Sequence, residues 1–388
     1  MKKKLLMIVL SVIMVLAFAA CNNSNDAINS QSGSGSNATA SDSGSGTPSG
    51  DKVKVGFIYI GTTNDGGYTQ AQHNGTVALE KALGDQIECA YLEGIDDTNT
   101  QAAEDAAKQL IDQGATIVIG TSFGFGVALE ALANSGDYDD IIFLHFSGSG
   151  INDHNMGNYF GAMEEPRYLS GVIAGLQTKS NKLGYVAAYP YTEVKIGINS
   201  FALGAQAVNP NVEVNVVYTN SWYDPAGEKQ AAEALLSQGC DVITQHADTA
   251  GPQLAAADAG AFAIGYNLDN SGLEGLEDAF LTAPTWKHEV FLIPTVQAIL
   301  DGTWTPESYY GTMADGYIDL APLTKNVSDE AKAKVEEIKA KIIAGDYPIF
   351  TGPIEYADGS VLVESGKSLD RAGIWTIDKV VKGVNAPE

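Results

Sequence analysis

From residue 53 onward, short runs of apolar, mostly β-branched residues alternate with longer stretches whose apolar residues recur every three or four positions. Runs of the first kind predict strands, and stretches of the second kind predict amphipathic helices. On this reading the first half holds strands at 53–60, 87–92, 116–121 and 141–146, with helices at 69–83, 100–113 and 125–134. The second half holds strands at 182–189, 212–219, 241–245 and 261–266, with helices at 194–207, 226–238 and 251–259. A helix at 329–343 follows, then a hairpin of Ile354–Tyr356 with Ser360–Val363 around the turn Asp358-Gly359. Regular strand–helix alternation implies parallel sheets covered by helices on both faces.

The halves echo each other. Lys54-Val55-Gly56-Phe57-Ile58 returns as Lys182-Leu183-Gly184-Tyr185-Val186, and Ile87-Glu88-Cys89 returns as Val212-Glu213-Val214. Ala106-Ala107, Leu110-Ile111 and Gln113-Gly114 return as Ala231-Ala232, Leu235-Leu236 and Gln238-Gly239. Three matches in order, at an offset of roughly 125 residues, predict two similar α/β lobes hinged around a cleft. Lobe 1 is expected to comprise 51–163 with about 284–322, and lobe 2 about 164–283 with 323–388. The chain would cross back between them around Leu281–Thr285 and Tyr317–Pro322.

The segment ahead of the lobes changes the cellular picture. Lys2, Lys3 and Lys4 precede an apolar run from Leu5 to Ala20, which reads as a signal peptide over 1–20. Phe18-Ala19-Ala20-Cys21 reads as a lipoprotein cleavage site, with Cys21 lipidated and 21–50, rich in Ser and Gly, as a flexible tether. The expected place is the extracytoplasmic face of the cell membrane, anchored by the lipid on Cys21. Without its three leading lysines the chain carries 19 basic and 48 acidic residues, a net charge of −29. Such a charge excludes nucleic acid as a partner and disfavours anionic ligands. Arg167 and Arg371 are the two arginines, so no guanidinium cluster is available to clamp phosphate or carboxylate. Cys89 and Cys240 fall in different lobes and read as small buried hydrophobes rather than a disulfide.

Ligands of such sheets sit beyond the carboxyl ends of the strands. The loops there are Asn64-Asp65-Gly66-Gly67-Tyr68-Thr69-Gln70, Thr121-Ser122-Phe123-Gly124-Phe125, Asn220-Ser221-Trp222-Tyr223-Asp224-Pro225, Gln245-His246-Ala247-Asp248 and Asn267-Leu268-Asp269-Asn270. Together they offer aromatic planes with neutral or acidic hydrogen-bonding groups, which suits a flat, uncharged ring with polar edges. Tyr68 and Trp222 are the candidate stacking residues, with Phe123 nearby, while Asp224 before Pro225 reads as a helix N-cap. Gln72, His246, Asp248, Asn267 and Asp269 are candidates for the ring's edge.

These loops resemble those of the basic membrane protein family, the purine-nucleoside receptors of ABC importers. Asp65, Gly67, Tyr68, Gln70 and Gly75 match the family's first loop, with Thr69 in place of its Asn. Asn220 to Pro225 resembles its Gly-Ser-Phe-x-Asp-Pro loop, with Trp222 at the aromatic position. The resemblance covers the chain after the tether. It implies a periplasmic-binding-protein-like fold, a permease as partner, no cofactor or metal, and a purine sandwiched by Tyr68 and Trp222. Three departures fall where the family grips ribose: Val127 and Asn267 stand for aspartates, and Trp286 for a lysine unless Lys287 serves. Their loss predicts a free nucleobase rather than a nucleoside, bound by a monomer.

An enzyme of the same shape finds no catalytic set. No Gly-x-Ser-x-Gly elbow follows a predicted strand, and the five histidines show no zinc spacing. Gly366-Lys367-Ser368 reads as a solvated turn, and Glu164-Glu165 as the exposed start of a helix. A sugar or amino-acid cargo for the same receptor remains the alternative.

Overall fold

The alternating pattern becomes two six-stranded parallel sheets. The computed structural model describes residues 52–387, which belong to one compact unit. The predicted signal peptide at 1–20, the tether at 21–50 and Cys21 lie outside the described residues. In chain order the first elements are β1 (Val53–Ile58), α1 (Tyr68–Leu83), β2 (Ile87–Leu92), α2 (Thr100–Asp112), β3 (Ala115–Gly120), α3 (Gly126–Ala133), β4 (Ile142–Phe146) and β5 (Met156–Gly161). Next come α4 (Glu164–Gln177), β6 (Lys182–Ala187), α5 (Thr192–Val208), β7 (Glu213–Tyr218), α6 (Pro225–Ser237), β8 (Val242–His246), α7 (Gly251–Asp258) and β9 (Phe262–Ile264). The chain ends with β10 (Phe280–Thr282), β11 (Pro284–Trp286), α8 (Glu289–Leu300), β12 (Ser308–Gly311), β13 (Ile318–Leu320), α9 (Asp329–Ile343), β14 (Ile354–Glu355), β15 (Val361–Val363), α10 (Arg371–Ile374) and β16 (Val384–Asn385).

The first sheet runs β12-β5-β4-β3-β1-β2 and the second β10-β9-β8-β6-β7-β16. The inner order β4-β3-β1-β2 is repeated as β9-β8-β6-β7, which is the sequence repeat expressed in space. One physical reason for the repeated glycine is visible. Leu110 of α2 lies against Gly56 of β1, and Leu235 of α6 lies against Gly184 of β6. A Cβ at either position would press within 3.0 or 3.1 Å of the leucine Cβ, so the glycine sets how closely helix and sheet pack.

Each sheet also contains strands that the sequence pattern did not announce. Every residue of β5 is buried, and its Gly157, Asn158 and Gly161 break the β-branched signature. β12 and β16 are short edge strands that return from far along the chain to pair with β5 and β7. A second correction concerns α4. Glu164 is buried rather than exposed, and burial lifts its carboxyl to about 7. The Tyr310 hydroxyl donates to its Oε2 at 3.3 Å. Cys89 and Cys240 are both free, the first partly buried and the second buried.

Asp224 does cap α6, accepting from the Gly227 amide at 3.0 Å, with Pro225 in the first turn. The Asp224 amide donates in turn to Glu228 Oε1 at 3.1 Å. Asp224→Ala is expected to cost about 1 kcal/mol, lowering the melting temperature by about 1–2 °C. A melting curve unchanged by this substitution would deny the cap any part in stability.

Candidate ligand-binding site

The carboxyl ends of the two sheets face one cavity of ≈ 630 Å³, within the range that holds a small organic ligand. Of the residues singled out in the sequence, Tyr68, Phe123, Trp222, His246, Asp248 and Trp286 line it. Asp65, Gln72, Asn267 and Asp269 do not.

Local chemistry explains the difference. Asp65 turns back on its own loop, where its two oxygens accept from the amides of Gly67, Thr69 and Gln70 at 2.8, 2.8 and 3.0 Å. It therefore satisfies the open amides at the start of α1. Gln72, one turn beyond Tyr68, is buried, and its Nε2 has no partner among the described residues. Asp269 is exposed and accepts from the Ser271 amide at 2.9 Å. Asn267 is fully buried with a left-handed backbone, φ 75°, which Asn tolerates better than most residues. Its Oδ1 accepts from Trp286 Nε1 at 3.1 Å. Val127, read as a lost ribose contact, is 68% exposed on α3 and does not line the cavity, so that departure says nothing about the ligand.

Tyr68 opens α1 and packs 6.1 Å from Phe146, while its hydroxyl donates to the Thr121 carbonyl. Trp222 sits in the loop after β7 beside Tyr189, Tyr191 and His246, at ring separations of 5.4, 6.1 and 6.2 Å. Asp248 joins them. Its amide donates to the Trp222 carbonyl at 3.0 Å, and its own carbonyl accepts from the Tyr68 amide at 3.4 Å. These bonds tie a loop of the first sheet to two loops of the second. Asn270 Nδ2 adds another tie, donating to the Gly66 carbonyl at 2.9 Å. Gly67 permits the contact, because a Cβ there would collide with the Asp248 carbonyl.

The sequence reading missed much of the wall. Phe146, Phe160, Tyr189, Tyr191, Tyr266 and Trp375 add aromatic surface, and Asp97, Ser122 and Glu193 add polar groups. Tyr189-Pro190-Tyr191 follows β6 as the Tyr68 loop follows β1, so the repeat carried that signal. Trp375 follows α10 near the C-terminus, and only tertiary folding brings it to Phe160, 5.8 Å away.

The cavity's electrostatics are one-sided. Asp97, Glu193 and Asp248 line it, and no Lys or Arg does among the described residues. His246 is held below its ordinary pKa, chiefly by burial, although Glu193 Oε1 lies 3.4 Å from its Nε2. Arg167 is fully buried beside it, donating to the Gln245 carbonyl at 2.7 Å and stacking 3.7 Å above the Tyr266 ring. Its positive charge further opposes protonation of His246. No cluster of His, Cys, Asp and Glu suited to a metal occurs among the described residues.

Comparisons with known proteins bear on the site. Residues 52–350 match the family model described as ABC transporter substrate-binding protein, PnrA-like. A purine-binding protein of Brucella abortus is 37% identical over 335 residues, covering 86% of this chain and 93% of that protein. A putative ABC transporter glucose-binding protein of Haloferax volcanii is 34% identical over 304 residues, covering 78% and 75%. Among solved structures, an ABC transporter solute-binding protein of Aeropyrum pernix superposes with a TM-score of 0.65 at 17% identity, covering 78% of this chain and 93% of the other. That likeness speaks for the fold.

Proposed function

This chain belongs to the PnrA-like family of ABC transporter substrate-binding proteins, and from that premise we propose that it captures a free purine base between Tyr68 and Trp222. It is a binding protein and not an enzyme. The observation that carries the proposal is that these two aromatic residues, from loops of different sheets, line one cavity and are joined through the backbone of Asp248. A base between two rings gains about 1–3 kcal/mol from each stacked face. Asp248 and His246 then meet its edge, and Phe123, 70% exposed, stands at the rim. Asp65, Asn267 and Asp269 are assigned structural parts, and Gln72 lies behind the wall.

The preference for base over nucleoside rests on Trp286. Its indole N–H is committed to Asn267, and its ring packs at 5.1 Å from Phe146 and 5.2 Å from Phe160. That wall offers apolar surface where a ribose would need hydrogen-bonding partners. Two lobes, 51–163 with about 284–322 and about 164–283 with 323–388, would close on the base and present the closed form to a permease. Lys2–Lys4, Leu5–Ala20 and Cys21 support delivery from a lipid-anchored monomer on the extracytoplasmic face, the −29 charge of the mature chain excluding nucleic acid. No described helix is long and apolar enough to cross a membrane.

Titration calorimetry with adenine, hypoxanthine, adenosine, inosine and glucose tests the reading. Free bases are expected to bind more tightly than the matching nucleosides; the reverse order would sink the base preference. The Haloferax relative named for glucose makes a sugar the second reading. Heat from glucose alone would replace purine with sugar.

A further inference from the structure

Asp248 is 4% exposed and lines the cavity, yet among the described residues its carboxyl group makes neither a hydrogen bond nor an ion pair. A buried carboxyl group without a partner is costly in a folded protein. Its backbone is bonded to the backbones of both stacking residues, and all three residues line the same cavity. We propose that Asp248 reads the edge of the bound base as an un-ionised carboxylic acid, with its O–H and its C=O side by side. This rests on the purine reading above.

The consequence is chemical breadth. A carboxylate has acceptors alone, so it suits an edge with two adjacent N–H donors and is repelled by a ring nitrogen or oxo lone pair. A neutral acid carries one donor and one acceptor, and the proton can sit on either oxygen. It therefore complements the N–H and ring nitrogen of a 6-amino purine, and equally the oxo group and ring N–H of a 6-oxo purine.

The surroundings favour that state. The titratable groups near Asp248 are Asp65 and Tyr68 around the start of α1, Asp97 ahead of α2, Glu193 of α5, Glu228 of α6 and His246 of β8. Burial first, then the charges of Glu228, Asp65, Asp97 and Glu193, push its carboxyl well above the usual carboxylate range. Burial lowers the pKa of His246, which works against its offsetting them with a positive charge. Arg167 behind His246 is the buried cation of this region; its Nη1 donates to the Gln245 carbonyl and its guanidinium lies over the Tyr266 ring, and it makes no ion pair with Asp248.

Affinity for adenine and hypoxanthine, measured calorimetrically on the purified protein across the whole pH range over which it stays folded, provides the test. Both affinities are expected to fall as the pH rises past the titration of Asp248 in the empty protein, approaching tenfold per pH unit. Asp248→Asn keeps one donor and one acceptor. It is expected to hold both bases within a few-fold of the wild type at the low end and to give a flat profile. A flat wild-type profile, or an affinity that rises with pH, would overturn the proposal, as would an Asn variant with the wild-type slope. If that variant does not fold, the wild-type profile decides. Absence of purine binding at every pH would instead overturn the purine reading itself.

Discussion

Trp222→Ala should weaken purine binding by about 5- to 150-fold, the equivalent of the 1–3 kcal/mol carried by one stacked face. The melting temperature should hardly move, because Trp222 is half-buried in a strand-end loop and packs on residues that line the same cavity. The loop itself is held by groups the substitution leaves in place, namely the Asp224 cap and the bond from the Asp248 amide to the residue 222 carbonyl. Calorimetry and a melting curve on the same sample separate the two effects. Wild-type affinity in the variant would remove the stacking account.

Gly67→Ala should cost at least as much by a different route. Position 67 lies where the lobes touch, and its new methyl group would collide with the Asp248 carbonyl. Seating the lobes would then require the bond from the Tyr68 amide, and the neighbouring bond from Asn270 to Gly66, to stretch or break. Overpacking of this kind disfavours the closed arrangement, and apparent affinity falls with the fraction of molecules able to adopt it. A loss on the order of 100-fold is expected. Position 67 belongs to none of the buried apolar clusters, so folding should survive. Small-angle scattering would show that ligand compacts the wild type and not the variant. Equal compaction in both would deny Gly67 its part in closure.

The fold was legible where the chain obeys local rules. Lys54-Val55-Gly56-Phe57-Ile58 and its echo at Lys182 sit in central strands, and 329–343 is a helix because Ser328 caps it and Asp329 and Glu330 favour its N-terminus. β5 was hidden because a strand buried throughout need not alternate, and its glycines and Asn158 weaken the β-branched signal. β12 and β16 owe their existence to long-range pairing, which no local pattern encodes. In the site, the sequence marks the loops that begin helices, but it does not separate a carboxylate that lines the cavity from one that turns to its own amides. Asp65 and Asp248 occupy similar strand-end loops. The first is consumed by three amides around the start of α1, and the carboxyl group of the second has no partner among the described residues. Distinguishing them requires the direction of each side chain, which depends on packing between the sheets.

The bonds that carry Asp248 are made entirely by its main chain. Ring spacing and lobe docking are thus indifferent to which side chain stands at position 248. If Asp248 reads the cargo as proposed, a single codon change there alters which ring edge is accepted and leaves the jaws as they were. Relatives with the same framework are free to diverge in diet without rebuilding their architecture.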